Sequence, residues 1–182
     1  MDFFQQMNTA IRGPQAEVQT ADTTITKLAD RLAQSTSFAD RRASVLALKG
    51  IARDLSADVG NIAYPALLAT LPEASQDADL GKALLETFMI LCDAEPSSPQ
   101  RDVGLRHIDL LLADPNALQS IFALLADQSF YVRFSALQLL SSLLAHRRQG
   151  VQAHFLRTSD PSSLIETLND KREVIRNGVC AW

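Results

Sequence analysis

The sequence is short of the residues that build sheets, metal centres and membrane anchors. Aromatic side chains make up 6% of its 182 residues, and it holds only seven glycines, three histidines and two cysteines. So few aromatic residues in a chain dominated by Ala and Leu argue against a strand-rich sandwich and leave the helix as the expected element. Cys92 and Cys180 lie far apart without metal-ligand spacing, so they read as isolated reduced thiols. His146 and His154 straddle a glycine and lack the i, i+4 spacing of a helical zinc site. There is no glycine loop to cradle phosphate and no nucleophile elbow. The expectation is no catalytic residue, no metal ligand set and no cofactor. A net charge of −4 offers no basic face to nucleic acid. The opening MDFFQQMNTAIRGPQ is not a signal peptide, and Asp2 excludes N-myristoylation. No run approaches the roughly twenty apolar residues that span a bilayer. These absences read as a soluble intracellular chain.

What the chain does have is apolar periodicity. With 47% apolar and 21% charged residues it suits one ordinary domain with a sizeable core. Residues 1–21, with Gly13 and Pro14, read as a loose lead-in, and 22–182 as the domain. A helix from Asp22 or Thr23 carries Ile25, Leu28 and Leu32 on one face. The next, over 40–56, carries Val45, Leu48, Ile51 or Ala52, and Leu55, with Asp40 as its N-cap. Ile62, Leu67, Leu68 and Leu71 follow, with Pro65 expected near a helix start or at a kink. A helix over 78–92 presents Leu80, Leu84, Phe88 and Leu91, and the Pro- and Ser-rich stretch 94–104 reads as a loop. Two short helices broken at Asp114-Pro115 lead into a long one over 130–147, which Gly150 is placed to stop. A capped short helix then precedes KREVIRN, the start of another long one.

Two of these helices repeat each other. FADRRASVLALKGIARDLSADVG and FYVRFSALQLLSSLLAHRRQG each place an Arg, a small residue three positions on, and large apolar residues seven and ten positions on. The first copy has Arg41, Ser44, Leu48 and Ile51; the second has Arg133, Ala136, Leu140 and Leu143. Ala78, Gly81, Leu85 and Phe88 form a degenerate copy, and Arg176 begins another. Helical units recurring at roughly 40–47 residues are of the armadillo and HEAT type, in which stacking supplies the core that one unit cannot bury alone. The predicted fold is all-α: an armadillo/HEAT-like right-handed α-solenoid of about three repeats plus an incomplete fourth.

DRLAQST…DRRASVLALKG and VRFSALQLL…REVIRN are more particular than an apolar period. They resemble the globular head of the general vesicular transport factors, with LGKALLETFMIL matching more loosely. That resemblance implies an armadillo-like head followed by a long parallel coiled coil and an acidic tail. It implies a non-enzymatic vesicle tether in ER-to-Golgi and intra-Golgi transport. The partners implied are a Rab-type GTPase, SNARE proteins and other tethers, with homodimerisation through the parent protein. The location implied is cytoplasmic and peripheral on Golgi and transport-vesicle membranes. The chain is too short for a whole head, has no heptad region and ends in RNGVCAW, so it reads as the N-terminal part of one. The alternative is an unrelated armadillo/HEAT adaptor or peptide-binding transport receptor. The recurring Trp and Asn ladder of nuclear-import receptors is missing, Trp182 being the only Trp.

Among charged residues, Arg147 and Arg148 are the candidates for contact with an acidic partner, weighed against simple helix termination. Arg41 and Arg42 at a helix start oppose its dipole and call for a carboxylate from a neighbouring repeat. Arg133 and Arg176 are expected to bond carbonyls or carboxylates between repeats. Phe3, Phe4 and Met7 are read as capping the first repeat. The last helix is expected to stop before it covers Leu164, Ile165 and Leu168, leaving an apolar end.

Overall fold

A computed structural model describes residues 20–158 and 161–180. Nine α-helices and no strand occur among them: α1 Ala21–Gln34, α2 Phe38–Ala52, α3 Ser56–Thr70, α4 Ala78–Leu91, α5 Arg101–Ala113, α6 Pro115–Ala123, α7 Phe130–Thr158, α8 Pro161–Leu168 and α9 Glu173–Val179. Tight 3-10 turns at Leu71–Gln76 and Leu124–Ala126 extend α3 and α6. The capping expected of Phe3, Phe4 and Met7 lies outside the described residues, as does Trp182.

Local chemistry sets the boundaries. Thr20 caps α1 by accepting from the Thr23 N–H, and Asp77 caps α4 by accepting from the Leu80 N–H at 2.8 Å. Asp114 accepts from the N–H groups of Asn116 and Ala117 while Pro115 fills the first turn of α6, so the break expected at Asp114-Pro115 is a capped helix start. The cap of α2 is Ser37 rather than Asp40: Ser37 accepts from the Asp40 N–H, and Asp40 stands in the first turn, where its charge suits the dipole. The earlier start lets Phe38 pack against the core. The same helix ends at Ala52, so Leu55, expected on its apolar face, instead precedes α3 and is exposed. Pro65 lies well inside α3 on its exposed side. The helical donor it denies to the Asn61 carbonyl is lost at an exposed residue, where water can replace it. The loop before α5 closes by Gln100 rather than at 104.

Gly150 does not stop the third long helix. The break comes at Arg147, whose φ of −141° and ψ of 46° leave the helical region, and the chain then continues as helix to Thr158. Gly150 sits within that continuation, where an added Cβ would meet only Leu112 at 3.4 Å. α7 is thus two helices joined at a kink: one closes the third unit and the other opens the fourth.

The units stack in register. α1 lies on α3, α2 on α4, and α4 on α7, with α9 against α7 and α8; the turn at 71–76 packs on α6, and that at 124–126 on α8. The repeated positions lie inside this stack. Ser44, Gly81 and Ala136 are buried, as are Leu48, Leu85 and Leu140, and Phe88 and Leu143. Ile51 is half-buried, with Ala52 beside it taking the interior place. Each fully buried leucine contributes about 1.5–3 kcal/mol, and no unit has two such layers without its neighbour. Gly60 and Gly104 set the closeness of the α3–α5 and α4–α5 approaches. A Cβ on Gly60 would overlap the His107 ring, and one on Gly104 would overlap the Asp93 carbonyl.

Candidate functional site on the long-helix face

The recurring arginines join the units. Arg41 Nε donates to the Ser35 carbonyl at 2.7 Å, Arg133 Nη1 to the Asp127 carbonyl at 2.9 Å and Arg176 Nη1 to the Asp170 carbonyl at 2.7 Å. In each case the acceptor stands six residues upstream, in the turn that leads into the long helix. Two of them also reach the following unit: Arg41 pairs with Glu73, and Arg133 Nε donates to Asp170 Oδ2 at 2.6 Å. Arg42 lies 3.3 Å from Asp79. The carboxylates needed to offset arginines at a helix start therefore come from the neighbour, as expected. Burial alone would raise the Asp170 pKa, but the Arg172 N–H and the Arg133 side chain outweigh it and hold the carboxyl below its ordinary value.

Where α2, α4 and α7 run side by side they leave a groove of about 740 Å3. Lys49 and Arg53 line it from α2, Glu86, Met89 and Ile90 from α4, and Gln138 and Ser142 from α7; Asp93 and the loop residues Ser98, Pro99 and Gln100 form one wall. Lys49 Nζ donates to Glu86 Oε2 at 2.8 Å, and Lys82 Nζ lies 3.8 Å from the same carboxylate. Ser56 Oγ donates to Gln100 Oε1, tying the loop to the start of α3. Ser142 is half-exposed on this groove.

Arg147 and Arg148 are not equivalent. Arg147 grips Asp109 with two bonds, Nε to Oδ1 at 2.7 Å and Nη2 to Oδ2 at 3.0 Å. The hydrogen bond from Arg147 lowers the Asp109 pKa and raises that of Arg147. Arg148 is exposed with no ion-pair partner among the described residues. The Arg147 pair fastens α7 to α5 at the break, which accounts for the arginine at that position.

A buried polar cluster escaped the sequence reading. Tyr64 Oη donates to the His107 carbonyl at 2.6 Å and lies 3.9 Å from Cys92 Sγ, while its ring stacks on that of His107 at 5.3 Å. His107 Nδ1 lies 2.7 Å from the Leu91 carbonyl, and its Nε2, beside Gly60, has no hydrogen-bond partner. Burial pushes the Cys92 thiol up to about 12, raises the Tyr64 pKa and lowers that of His107. An inert thiol, an un-ionised phenol and a neutral imidazole make this a structural joint between the second and third units. Its members lie up to 43 residues apart, and no local pattern announces them. Among the described residues no three His, Cys, Asp or Glu side chains converge as metal ligands. No single described helix is long and apolar enough to cross a membrane.

Helical units stacked on shared apolar layers, joined by arginines at a repeated position, define an armadillo-like α-solenoid. The fold is similar to that in the crystal structure of Uso1-2, at a TM-score of 0.77 and 25% identity, over 92% of this chain and 29% of that one. The chain is 33% identical to the intracellular protein transport protein uso1 of Schizosaccharomyces pombe over 97% of its own length and 17% of that protein's. It is 32% identical to the human general vesicular transport factor p115 over 91% of its length and 18% of p115. Golgin candidate 6 of Arabidopsis thaliana matches at 26% over 86% of this chain and 18% of its own. No protein-family model matches. The chain is homologous to the Uso1/p115 vesicular transport factors over 91–97% of its own length. It spans under a fifth of the length of these relatives.

Proposed function

We propose that this chain is a non-enzymatic vesicle-tethering module of ER-to-Golgi and intra-Golgi transport, working through protein–protein contacts as the N-terminal part of a tether head. The observation that carries the reading is the match to intracellular transport proteins over nearly the whole chain. The stacked helices supply a rigid surface on which polar side chains are displayed at unit spacing, a construction suited to holding partners rather than to chemistry. The partners are a Rab-type GTPase, SNARE proteins and other tethers, met in the cytoplasm at Golgi and transport-vesicle membranes, with the parent protein as a homodimer. Of the two arginine candidates, Arg148 is the contact residue, since Arg147 is already engaged by Asp109.

The test is direct binding of the purified chain to a Golgi Rab-type GTPase, loaded with a non-hydrolysable GTP analogue or with GDP, and to SNARE cytosolic domains. Binding that prefers the GTP-loaded form and weakens on Arg148→Glu is expected. No binding to either partner class at tens of micromolar, a range typical of weak specific contacts, would overturn the reading.

A further inference from the structure

We propose that Ser98, in the loop between α4 and α5, is a phosphorylation site for a proline-directed serine/threonine kinase. The proposal goes beyond the tethering reading and does not depend on it.

Two observations converge on this residue. The first is sequence. Ser98 is the only Ser or Thr in the chain followed by proline, and Arg101 stands three residues on, in Ser98-Pro99-Gln100-Arg101. Proline has no N–H to leave unpaired, so it suits the apolar wall that such a kinase presents just after the serine. Arg101 is exposed with no ion-pair partner among the described residues, and its fork suits a carboxylate of the kinase.

The second is place. Residues 92–100 form the longest connection between helices among the described residues. Pro96, Ser97 and Pro99 are exposed, and Ser98 is half-buried on the open wall of the groove. The bonds that shape the loop are short-range. The Ser98 N–H donates to the Glu95 carbonyl at 2.9 Å, the Arg101 N–H to the Ser98 carbonyl at 3.3 Å and the Gln100 N–H to Ser98 Oγ at 3.3 Å. Opening such a segment costs little beside opening a helix, and Arg101, the first residue of α5, need only fray. Elsewhere hydroxyls are locked away: Ser44 and Ser56 are buried, and buried Thr70 and Thr87 donate to carbonyls of their own helices.

In the step itself Ser98 Oγ bonds to the γ-phosphorus of ATP. The bond from that phosphorus to the β–γ bridging oxygen breaks, ADP leaves, and the hydroxyl proton passes to a carboxylate of the kinase. The consequence is electrostatic. Lys49 and Arg53 line the groove against Glu86 and Asp93, two charges of each sign. A phosphoserine adds about −1.5 to −2 charges, so a balanced surface becomes acidic.

The experiment incubates the 182-residue chain with a recombinant cyclin-dependent kinase and ATP, and maps the phosphate by tandem mass spectrometry. Phosphate on Ser98 is expected, lost in Ser98→Ala and retained in Ser97→Ala. Pro99→Ala should slow its incorporation by about tenfold or more. The folded chain should be labelled within about tenfold of the rate of a free peptide of residues 92–104, because the rate falls with the fraction of the loop open to the kinase. No incorporation, phosphate mapped to other residues but not to Ser98, indifference to Pro99→Ala, or a folded chain slower than the peptide by more than that factor would overturn the proposal.

Discussion

The middle of the stack and its C-terminal end are made from the same unit yet differ in what covers them. α4 is flanked by α2 on one side and α7 on the other, and Leu84, Leu85 and Phe88 are fully buried there. At the other end α8 and α9 have a neighbour on one side only. Leu156 is 82% exposed and Ile165 57%, with Leu168 and Val174 also open, and Phe122, Leu144, Val151, Phe155 and Leu164 line an apolar hollow of about 450 Å3. The middle is joined by close approaches at Gly60, Gly81 and Gly104 and by the Tyr64–Cys92–His107 cluster; the end by Gly178 against Leu137 and by Arg133, Asp170 and Arg176. The lesson is that stability in this chain belongs to interfaces. A unit is as stable as the number of neighbours it has.

The largest expected effect comes from truncating the middle. Leu85→Ala should cost about 2–5 kcal/mol, the usual range for a fully buried leucine. Ile165→Ala should stay within about 0.5 kcal/mol, as substitutions at exposed positions do. Denaturant titration of the two variants checks the contrast, and equal losses would break it. A glycine pair sharpens it further by sign. Gly104→Ala drives a Cβ into the Asp93 carbonyl, which is backbone and cannot step aside, so it should cost about 1–3 kcal/mol. Gly50→Ala, with nothing within 4 Å and ordinary helical backbone, should stabilise by about 0.4–1 kcal/mol. Thermal melts of both settle the sign.

Acid should act on His107 in the middle and on Asp170 at the end in different windows. The folded state keeps His107 neutral and lowers its pKa, so the unfolded chain binds the extra proton first. The stability this confers is complete above the unfolded imidazole value, about 6.5, and falls as the pH drops below it. Asp170 is held ionised by Arg172 and Arg133. Its contribution is complete above the ordinary carboxylate value, about 3.9, and is lost as the pH falls through its lower folded value. Urea midpoints between pH 7.5 and 5 should therefore drift downward for the parent and flatten in part in His107→Leu, the rest of the drift coming from His154, whose pKa is also lowered, by burial first and by Arg157 second. The smallest effect is expected at the end: Asp170→Asn should loosen α9 at neutral pH, seen as faster amide exchange at Ile175 and Val179, and reduce the drift below pH 4, to which Asp109 also contributes.

The layers buried throughout the stack were legible because their signal is local. Leu48, Leu85 and Leu140 recur at one offset from a recognisable helix start, and burial follows from that offset. Of the three residues expected to lie uncovered, Ile165 and Leu168 are exposed, whereas Leu164 is half-buried against the core. The carboxylate partners of Arg41 and Arg42 were foreseen in kind but not by number, because pairing across units depends on stacking register. Ser37 and Asp40 are both competent caps, and only the packing of Phe38 chooses between them. The end of the third long helix at 147 was legible but its cause was not: Gly150 lies inside the helix that follows, and the tie of Arg147 to Asp109 comes from a helix 38 residues upstream. Nothing in the sequence near Gly60 says that His107 will lie against it.

Native-state amide exchange read along the whole chain tests the account most directly. Protection should peak in α4 and the adjoining parts of α2 and α7, where opening requires two interfaces to break, and should fall in α8 and α9, which open by losing one. Equal protection from Ala78–Leu91 through Glu173–Val179 in a monomeric sample would contradict it.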